Sequence, residues 1–269
     1  MSSISQRSQQ WKRLAQFTQA RVGLNRVGVS QTTHDVLDFL EAHAHARDAI
    51  HAVLNAEALI DEFQRAGFQV VHVHSRAESR LDFLQHPDLG RRLDQSSAQR
   101  LAESFSTISH SSIQSPDQVT RGARRLAIVV GDGLSPLASM CNALPVVIAL
   151  RTLLHDWELG PVIVAEQARV ALADEVGVLC SAAVTLMLLG ERPGLQAADS
   201  LGAYITYHPH IGRSDAERNC VSNIHPRGLN SEAAAVQIAW FSREALRFGA
   251  TGIALKSKQI SLPDHSVGQ

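Results

Sequence analysis

The sequence has few of the features that mark secreted or membrane proteins. Its three cysteines, Cys141, Cys180 and Cys220, stand among 269 residues without a CxxC spacing. So few cysteines, in an odd number, exclude a disulfide framework and favour a reduced, cytoplasmic setting. The mainly apolar runs stop at eight residues, in 143–150 and 182–189, whereas a bilayer-spanning helix needs about 20. The opening MSSISQRSQQWKRL holds no apolar stretch of signal-peptide length, so we do not expect secretion.

Charge is also scarce and nearly balanced. Charged residues make up 19% of the chain and the formal net charge is −1. No overall field draws such a chain to nucleic acid or to a membrane, and we expect neither partner. Three of the 25 basic residues are lysines, so 22 are arginines. Either genomic base composition or an arginine-rich interface explains that bias, because arginine suits desolvated ion pairs better than lysine. The 45% share of hydrophobic residues excludes a disordered chain.

The N-terminal quarter is predicted to be helical. Thr32 and Asp35 have capping-box spacing ahead of a helical pattern, and a second helical stretch stops at Gly67. The alternating QVVHVH that follows predicts a strand over 69–74. We therefore predict two parts, a helical N-terminal region over residues 1–66 and an α/β domain over residues 67–269.

From residue 125 onward, short apolar runs alternate with helical stretches. The runs are 126–130, 161–165, 183–189 and 203–207. Residues 231–248 form an amphipathic helix that ends at Gly249. Continuous apolar strands alternating with helices are typical of a mostly parallel sheet covered on both faces. The predicted fold class is α/β, Rossmann-like, with a mostly parallel sheet and a helical N-terminal region.

GDGLSP, residues 131–136, stands where a strand gives way to a helix. It keeps the first two glycines of GxGxxG, but Pro136 occupies the third position, so a plain turn is favoured over a dinucleotide site. Ser135 is not a nucleophile of the GxSxG kind, because Leu137 replaces the second glycine. We interpret it as a helix N-cap.

Two polar segments are candidates for binding. HPDLGRRL, residues 86–93, is either an ion-paired surface loop or an arginine fork that grips a partner or an anionic group. GERPGL, residues 190–195, follows the strongest apolar strand, at the sheet edge where ligands usually bind. His72 and His74 share a strand face, as metal ligands could, but no acidic or thiolate ligand is near in sequence. We expect no metal site.

Several longer segments of the sequence are informative when they are taken together and in their order along the chain. They are ARVGLNRVGVSQTTHDVLDFLEAHAHARDAI (20–50), PDLGRRL (87–93), DGLS (132–135), QARVALADEVG (167–177), GERPGL with DSLGAY (190–204) and DAERNCVSNIHPRG (215–228). On this combination, which covers most of residues 11–255, the chain closely resembles the small (light) subunit of ethanolamine ammonia-lyase.

The resemblance implies one subunit of an adenosylcobalamin-dependent lyase that converts ethanolamine to acetaldehyde and ammonia. In that family a large TIM-barrel subunit holds the substrate, and the small subunit closes over the cobalamin at the interface. The chain would then be active only beside the large subunit. We accordingly expect no catalytic acid, base or nucleophile in it.

The resemblance also implies which residues touch the cofactor. The family's cobalamin-binding positions fall on Val170 in QARV, Glu191 in GERPGL and Cys220 in RNC. A carboxylate accepts hydrogen bonds from the amide arms of a corrin strongly, and valine and cysteine pack against apolar ring surface. The DxHxxG signature of base-off cobalamin proteins is absent, so base-on binding is expected.

Two other functions remain open on the sequence. One is a self-sufficient Rossmann-like enzyme that binds a nucleotide, and the other is a noncatalytic assembly subunit. About ten residues precede the resembling segments, whereas family members sent to bacterial microcompartments often carry a longer N-terminal extension. We expect a cytoplasmic location and leave residence in a microcompartment open.

Overall fold

The computed structural model describes residues 11, 13–14, 16–17, 26–27, 29–110 and 124–260. The strands are β1 Arg26–Val27, β2 Ser30–Gln31, β3 Val70–His74, β4 Arg125–Gly131, β5 Glu158–Glu166, β6 Val184–Gly190, β7 Leu201–Tyr207 and β8 Asn219–Ile224. The helices are α1 Thr33–His51, α2 Ala56–Arg65, α3 Arg80–Gln85, α4 Gln95–His110, α5 Pro136–Leu153, α6 Leu172–Leu179, α7 Ser231–Phe248 and α8 Ile253–Ile260. Short 3₁₀ turns lie at Leu89–Arg91 and Asp215–Glu217.

Six strands form one mixed sheet in the order β3-β5-β4-β6-β7-β8. The first four run parallel, and β7 runs antiparallel to both β6 and β8. This confirms the α/β class and the mostly parallel sheet. Strand β8 was not predicted, because its polar string NCVSNI lacks the continuous apolar run of the other strands. As an edge strand it buries only alternate positions near its start.

Helices cover both faces of the sheet. On one face α2, α5 and α7 share a core with the apolar residues of the strands. On the other face α4 packs against β3, and α6 packs against β4 and β6. Leu59 and Phe63 of α2 belong to the first core, so this N-terminal helix packs directly on the sheet. The division of the chain at residue 66 stays a prediction.

Helix α5 has the length and apolar composition of a membrane span, and it is the one such helix in the part of the chain described. Eight of its residues are buried within the protein. It packs closely against α7 and β6. A helix that is apolar nearly all round is also what the centre of a globular core requires.

Most predicted helix ends are confirmed. Thr32 caps α1 by accepting a hydrogen bond from the Asp35 amide, and Gly67 has the positive φ of +81° expected just after α2. Gly249 ends α7 in the left-handed conformation. Helix throughout residues 1–66 is wrong at 26–31, where β1 and β2 pair antiparallel. Gly28 stands within this stretch of the sequence, and glycine disfavours the interior of a helix.

Candidate functional site

A cavity of about 620 Å³ opens at the carboxyl ends of β4, β5 and β6. Its walls come from the loops after these strands, from the 3₁₀ turn after α3 and from the segment before β8. The lining residues include Phe83, Arg91, Gly133, Leu134, 168–171, 189–192, Tyr204 and 213–215. Ligands of open α/β sheets bind at this edge, so the cavity is the candidate functional site.

The turn after β4 forms the floor between two strands. Gly133 has a φ of +55°, and a Cβ there would lie 2.3 Å from the Gly190 carbonyl oxygen. The Leu134 amide donates to that same oxygen at 3.0 Å, and the Gly133 amide donates to Asp132. A phosphate-binding turn needs such amides unengaged. The favoured interpretation of GDGLSP as a plain turn is therefore confirmed.

Ser135 begins α5, as predicted. Its hydroxyl oxygen accepts a hydrogen bond from the Ala138 amide at 3.3 Å and its proton goes to the Ala198 carbonyl at 2.5 Å. The residue is fully buried. Because the Ser135 hydroxyl both donates and accepts a hydrogen bond, it caps the helix and connects it to the loop after β6. It is not free to act as a nucleophile.

Asp132 organises the backbone on the cavity floor. Its carboxylate accepts hydrogen bonds from three amides, those of Gly133, Gln167 and Ala168, at 2.8–3.0 Å, and Arg80 approaches it at 3.3 Å. Burial raises the pKa of this carboxyl to about 6, against the opposing effect of those hydrogen bonds and of Arg80. Asp132 thus fixes the loop that leads from β5 into the cavity wall.

Glu191 lies on the cavity wall directly after β6, as its position in GERPGL predicts. Its Oε2 accepts a hydrogen bond from the Ser200 hydroxyl at 2.6 Å and one from the Asn223 amide at 3.3 Å. Its own amide donates to the Ser200 carbonyl at 2.9 Å. The carboxylate is therefore held in one place while remaining partly accessible.

Val170 lies on the opposite side of the same cavity, in the loop after β5. It is partly buried and packs against the core beneath α4 and α6. The preceding Arg169 donates its amide to the Gly90 carbonyl at 2.8 Å. The prediction that Val170 and Glu191 meet at one sheet edge matches this arrangement.

Cys220 does not line the cavity but stands one strand behind its wall. In the sheet it is paired with Tyr204, which does line the cavity. Cys220 reaches the surface because, among the elements described, α4 and α6 stop short of β8 on this face. Burial, reinforced by the negative charge of Glu191, raises the pKa of its thiol to about 11. The thiol is therefore neutral at physiological pH.

The two arginines of HPDLGRRL have different roles. Arg92 forms a two-pronged ion pair with Glu175 of α6, at 2.9 and 3.1 Å, which matches the ion-paired alternative. Arg91 instead lines the cavity. Sequence spacing alone gave no means of separating them, since the acidic partner lies more than 80 residues away.

The two histidines of β3 make different contacts. His72 lies on the edge strand β3, where its Nε2 is 2.7 Å from the Glu166 carboxylate of β5. His74 bonds the Ser75 carbonyl through Nδ1. Within the described part of the chain, no group of three or more potential metal ligands comes together.

Known proteins match the chain over nearly its full length. The model of the family described as ethanolamine ammonia-lyase light chain (EutC) matches residues 8–256. The ethanolamine ammonia-lyase small subunit of Bradyrhizobium diazoefficiens is 45% identical over 258 residues, which cover 95% of this chain and 93% of that protein. The small subunit of Rhodopseudomonas palustris is 47% identical over 249 residues, or 92% and 90%. For Pseudomonas aeruginosa the values are 43% over 250 residues, 92% and 87%. The chain therefore belongs to the ethanolamine ammonia-lyase light-chain family.

Proposed function

We propose that this chain is the small subunit of an adenosylcobalamin-dependent ethanolamine ammonia-lyase. It would act in a complex with a large subunit that holds the ethanolamine, and its cavity would be its share of the cofactor site. Three unpaired cysteines suit a cytoplasmic location, which is part of the proposal. Family membership supports the reaction class, and the cavity supports the role in binding.

The cavity has room for part of a cobalamin and not for the whole cofactor. Pockets of about 300–1,000 Å³ enclose drug-sized molecules, and cobalamin, with its corrin and nucleotide loop, is considerably larger. An open cavity of about 620 Å³ would therefore cover one side of the cofactor and leave the other to the large subunit. Phe83, Leu134 and Val170 offer apolar wall, while arginines and Glu191 offer hydrogen-bonding groups.

The fixed carboxylate of Glu191 is the observation that carries this proposal. Ser200 and the Asn223 amide engage Oε2, and no described residue bonds Oε1. An anionic oxygen held at the rim of a cavity is a strong acceptor for amide N–H groups, such as those of corrin side chains. Because its orientation is set by the protein, little entropy is lost when a donor arrives.

Val170 and Cys220 would be the other two cofactor-binding residues. Val170 presents apolar surface across the cavity from Glu191, and Cys220, which is neutral and lies beside Tyr204 in the sheet, supports the aromatic wall. When bound, adenosylcobalamin would supply the radical chemistry of the deamination. The residues of this chain would bind the cofactor, orient it and exclude water. None is proposed as a catalytic acid, base or nucleophile.

The proposed activity is tested with the large subunit encoded in the same genome. Acetaldehyde release from ethanolamine and adenosylcobalamin is measured with each subunit alone and with both. We expect release only when both are present. A folded, co-purifying pair without activity would contradict the substrate, and failure of the two chains to associate would contradict the subunit role.

Glu191→Ala tests the binding role of the carboxylate. Loss of a charge-assisted hydrogen bond costs about 1.5–3 kcal/mol, or roughly a 10- to 150-fold rise in the cofactor's Kd. Spectral titration of the complex with adenosylcobalamin measures it. Glu57→Ala, which removes an exposed carboxylate from the first turn of α2, is the matched control. An unchanged Kd for Glu191→Ala would remove this residue from the site.

A further inference from the structure

Two cationic side chains converge on one wall of the cavity. Arg91 and Arg169 both line it. Burial lowers the pKa of the Arg169 guanidinium, and the neighbouring charge of Arg91 lowers it further. Like charges placed so close repel each other and destabilise the fold. An arrangement of this kind is expected where an anion belongs between the two.

Backbone contacts bring Arg91 and Arg169 close to each other. The Arg169 amide donates to the Gly90 carbonyl at 2.8 Å, which joins the loop after β5 to the turn that bears Arg91. A Cβ on Gly90 would lie 2.9 Å from the Gln167 carbonyl oxygen and 3.0 Å from Cγ of Arg169. Only glycine permits this approach without displacement.

Phe83 contacts the Arg169 guanidinium through both its ring and its carbonyl. The centre of the guanidinium lies 4.4 Å from the ring centroid, and Nη2 donates to the Phe83 carbonyl at 2.8 Å. These contacts fix the Arg169 guanidinium but do not use all of its N–H donors. Its buried Nε has no hydrogen-bond partner. A buried donor without a partner costs free energy unless a ligand satisfies it.

Neighbouring arginines in the same region are neutralised, and this contrast is informative. Arg80 covers the other part of the Phe83 ring and is paired with Asp132, and Arg92 is paired with Glu175. Among the described residues, by contrast, Arg91 and Arg169 have no carboxylate within ion-pair distance. Arg213, which also lines the cavity, is paired with Glu217. Arg91 and Arg169 are therefore cavity arginines whose charges the described part of the protein leaves without a paired carboxylate.

We propose that Arg91 and Arg169 bind a phosphate ester, namely the phosphodiester of the cobalamin nucleotide loop. This inference rests on the proposed function. The corrin arms are neutral amides, so the phosphodiester is the group on the cofactor that two guanidiniums would select. Leu134 and Val170 would cover the ring edge while Arg91 and Arg169 held the phosphate, so one cavity would serve both groups.

The experiment compares two cofactor fragments that differ by the phosphate alone. Cyanocobinamide lacks the nucleotide loop, and cyanocobinamide phosphate adds only the phosphate ester; neither turns over. Their Kd values for the assembled two-subunit complex are measured by visible spectral titration. We expect the wild-type complex to bind the phosphate form about tenfold or more tightly, with a preference that declines as salt is added.

Two variants carry the inference and one serves as control. Arg91→Gln alters an exposed side chain, so the fold is preserved, and it should reduce the preference severalfold; Arg91→Gln with Arg169→Gln should abolish it. Arg65→Gln, which removes an exposed charge from α2, should keep the full preference. No wild-type preference, or an undiminished preference in Arg91→Gln, would overturn the inference.

A final comparison separates this inference from the proposed function. If adenosylcobalamin binds the wild-type complex but the phosphate preference is missing, the phosphate role alone is wrong. If no cobalamin binds at all, both proposals are wrong. Stabilisation of the chain by AMP or orthophosphate, lost in Arg91→Gln and seen without cobalamin binding, would assign the arginines to a free nucleotide or phosphate instead.

Discussion

A buried ion pair behind the cavity allows a quantitative test of how the site is supported. Arg218, at the entrance to β8, meets Asp174 of α6 in a two-pronged contact with both N–O distances at 2.7 Å. The two side chains are 2% and 1% exposed. Arg218 also donates to the Thr206 hydroxyl at 2.9 Å and to the Arg213 carbonyl at 3.1 Å. The pair joins the helix that follows Val170 to the strand that carries Cys220.

Asp174→Asn should destabilise the protein strongly. Removing one charge from a buried pair costs about 3–5 kcal/mol, because the remaining charge stays desolvated; the exposed Asp215 carboxylate, 3.4 Å from Arg218 Nε, compensates it weakly. With an m-value near 3 kcal/mol/M in urea, at the upper end for small proteins, the unfolding midpoint should fall by about 1–2 M. Circular dichroism of the purified chain during urea titration measures that shift.

The double variant Asp174→Leu/Arg218→Met is the matched control. It removes both charges, and replacing a complete buried pair by apolar side chains is often neutral. We expect its midpoint to recover more than half of the loss. Should Asp174→Asn shift the midpoint by less than about 0.3 M, equivalent to about 1 kcal/mol, the pair would not support this part of the fold and the reasoning would be refuted.

Two further predictions concern the cavity floor. In the fold the pKa of Asp132 is about 6, against an ordinary 3.8, so the folded state binds the carboxyl proton more tightly than the unfolded state does. The stabilisation of the fold by this proton is complete below pH 4. It is lost as pH rises through 6, by about 3 kcal/mol. Asp132→Asn should flatten this slope in urea midpoints from pH 4 to 7, and an unchanged slope would assign it to another group. Gly190→Ala places a Cβ 2.0 Å from the Ser135 carbonyl oxygen and should cost about 3 kcal/mol or more. Gly194→Ala, whose Cβ would lie an ordinary 3.7 Å from the nearest atom, is the control for the loss of a glycine.

The apolar strands were predictable because burial on both faces leaves a direct mark on the sequence. β4 and β6 are buried at nearly every position, so their runs of valine, leucine and isoleucine are continuous. Polar elements leave no such mark: β8 shows asparagine and serine at its exposed positions, and α4 begins with QSSAQR. Their structure depends on the strands and helices beside them.

The site was predictable only where a strand end and an unusual loop coincide. Glu191 combines both, since it follows the most apolar strand and stands between glycines. HPDLGRRL marked Arg91 and Arg92 alike as candidates for binding an anion, and Tyr204 gave no signal of its own. Arg91 reaches the cavity through a contact between Gly90 and Arg169, and Tyr204 through antiparallel pairing with β6. Both depend on partners distant in sequence.

The strand order also has a consequence for the order of folding. β6, β7 and β8 are a meander in which each strand pairs with the next, so their contacts close short loops. β3 pairs with β5, about ninety residues later, with Val70 opposite Val162; so long a loop closes at a greater entropic cost and more slowly. We expect β3 to dock last during refolding, and pulsed hydrogen exchange should show its amides protected after those of β6 and β7. Because Phe83 and Arg91 follow β3 in the chain, the binding cavity would be completed only in the final folding step.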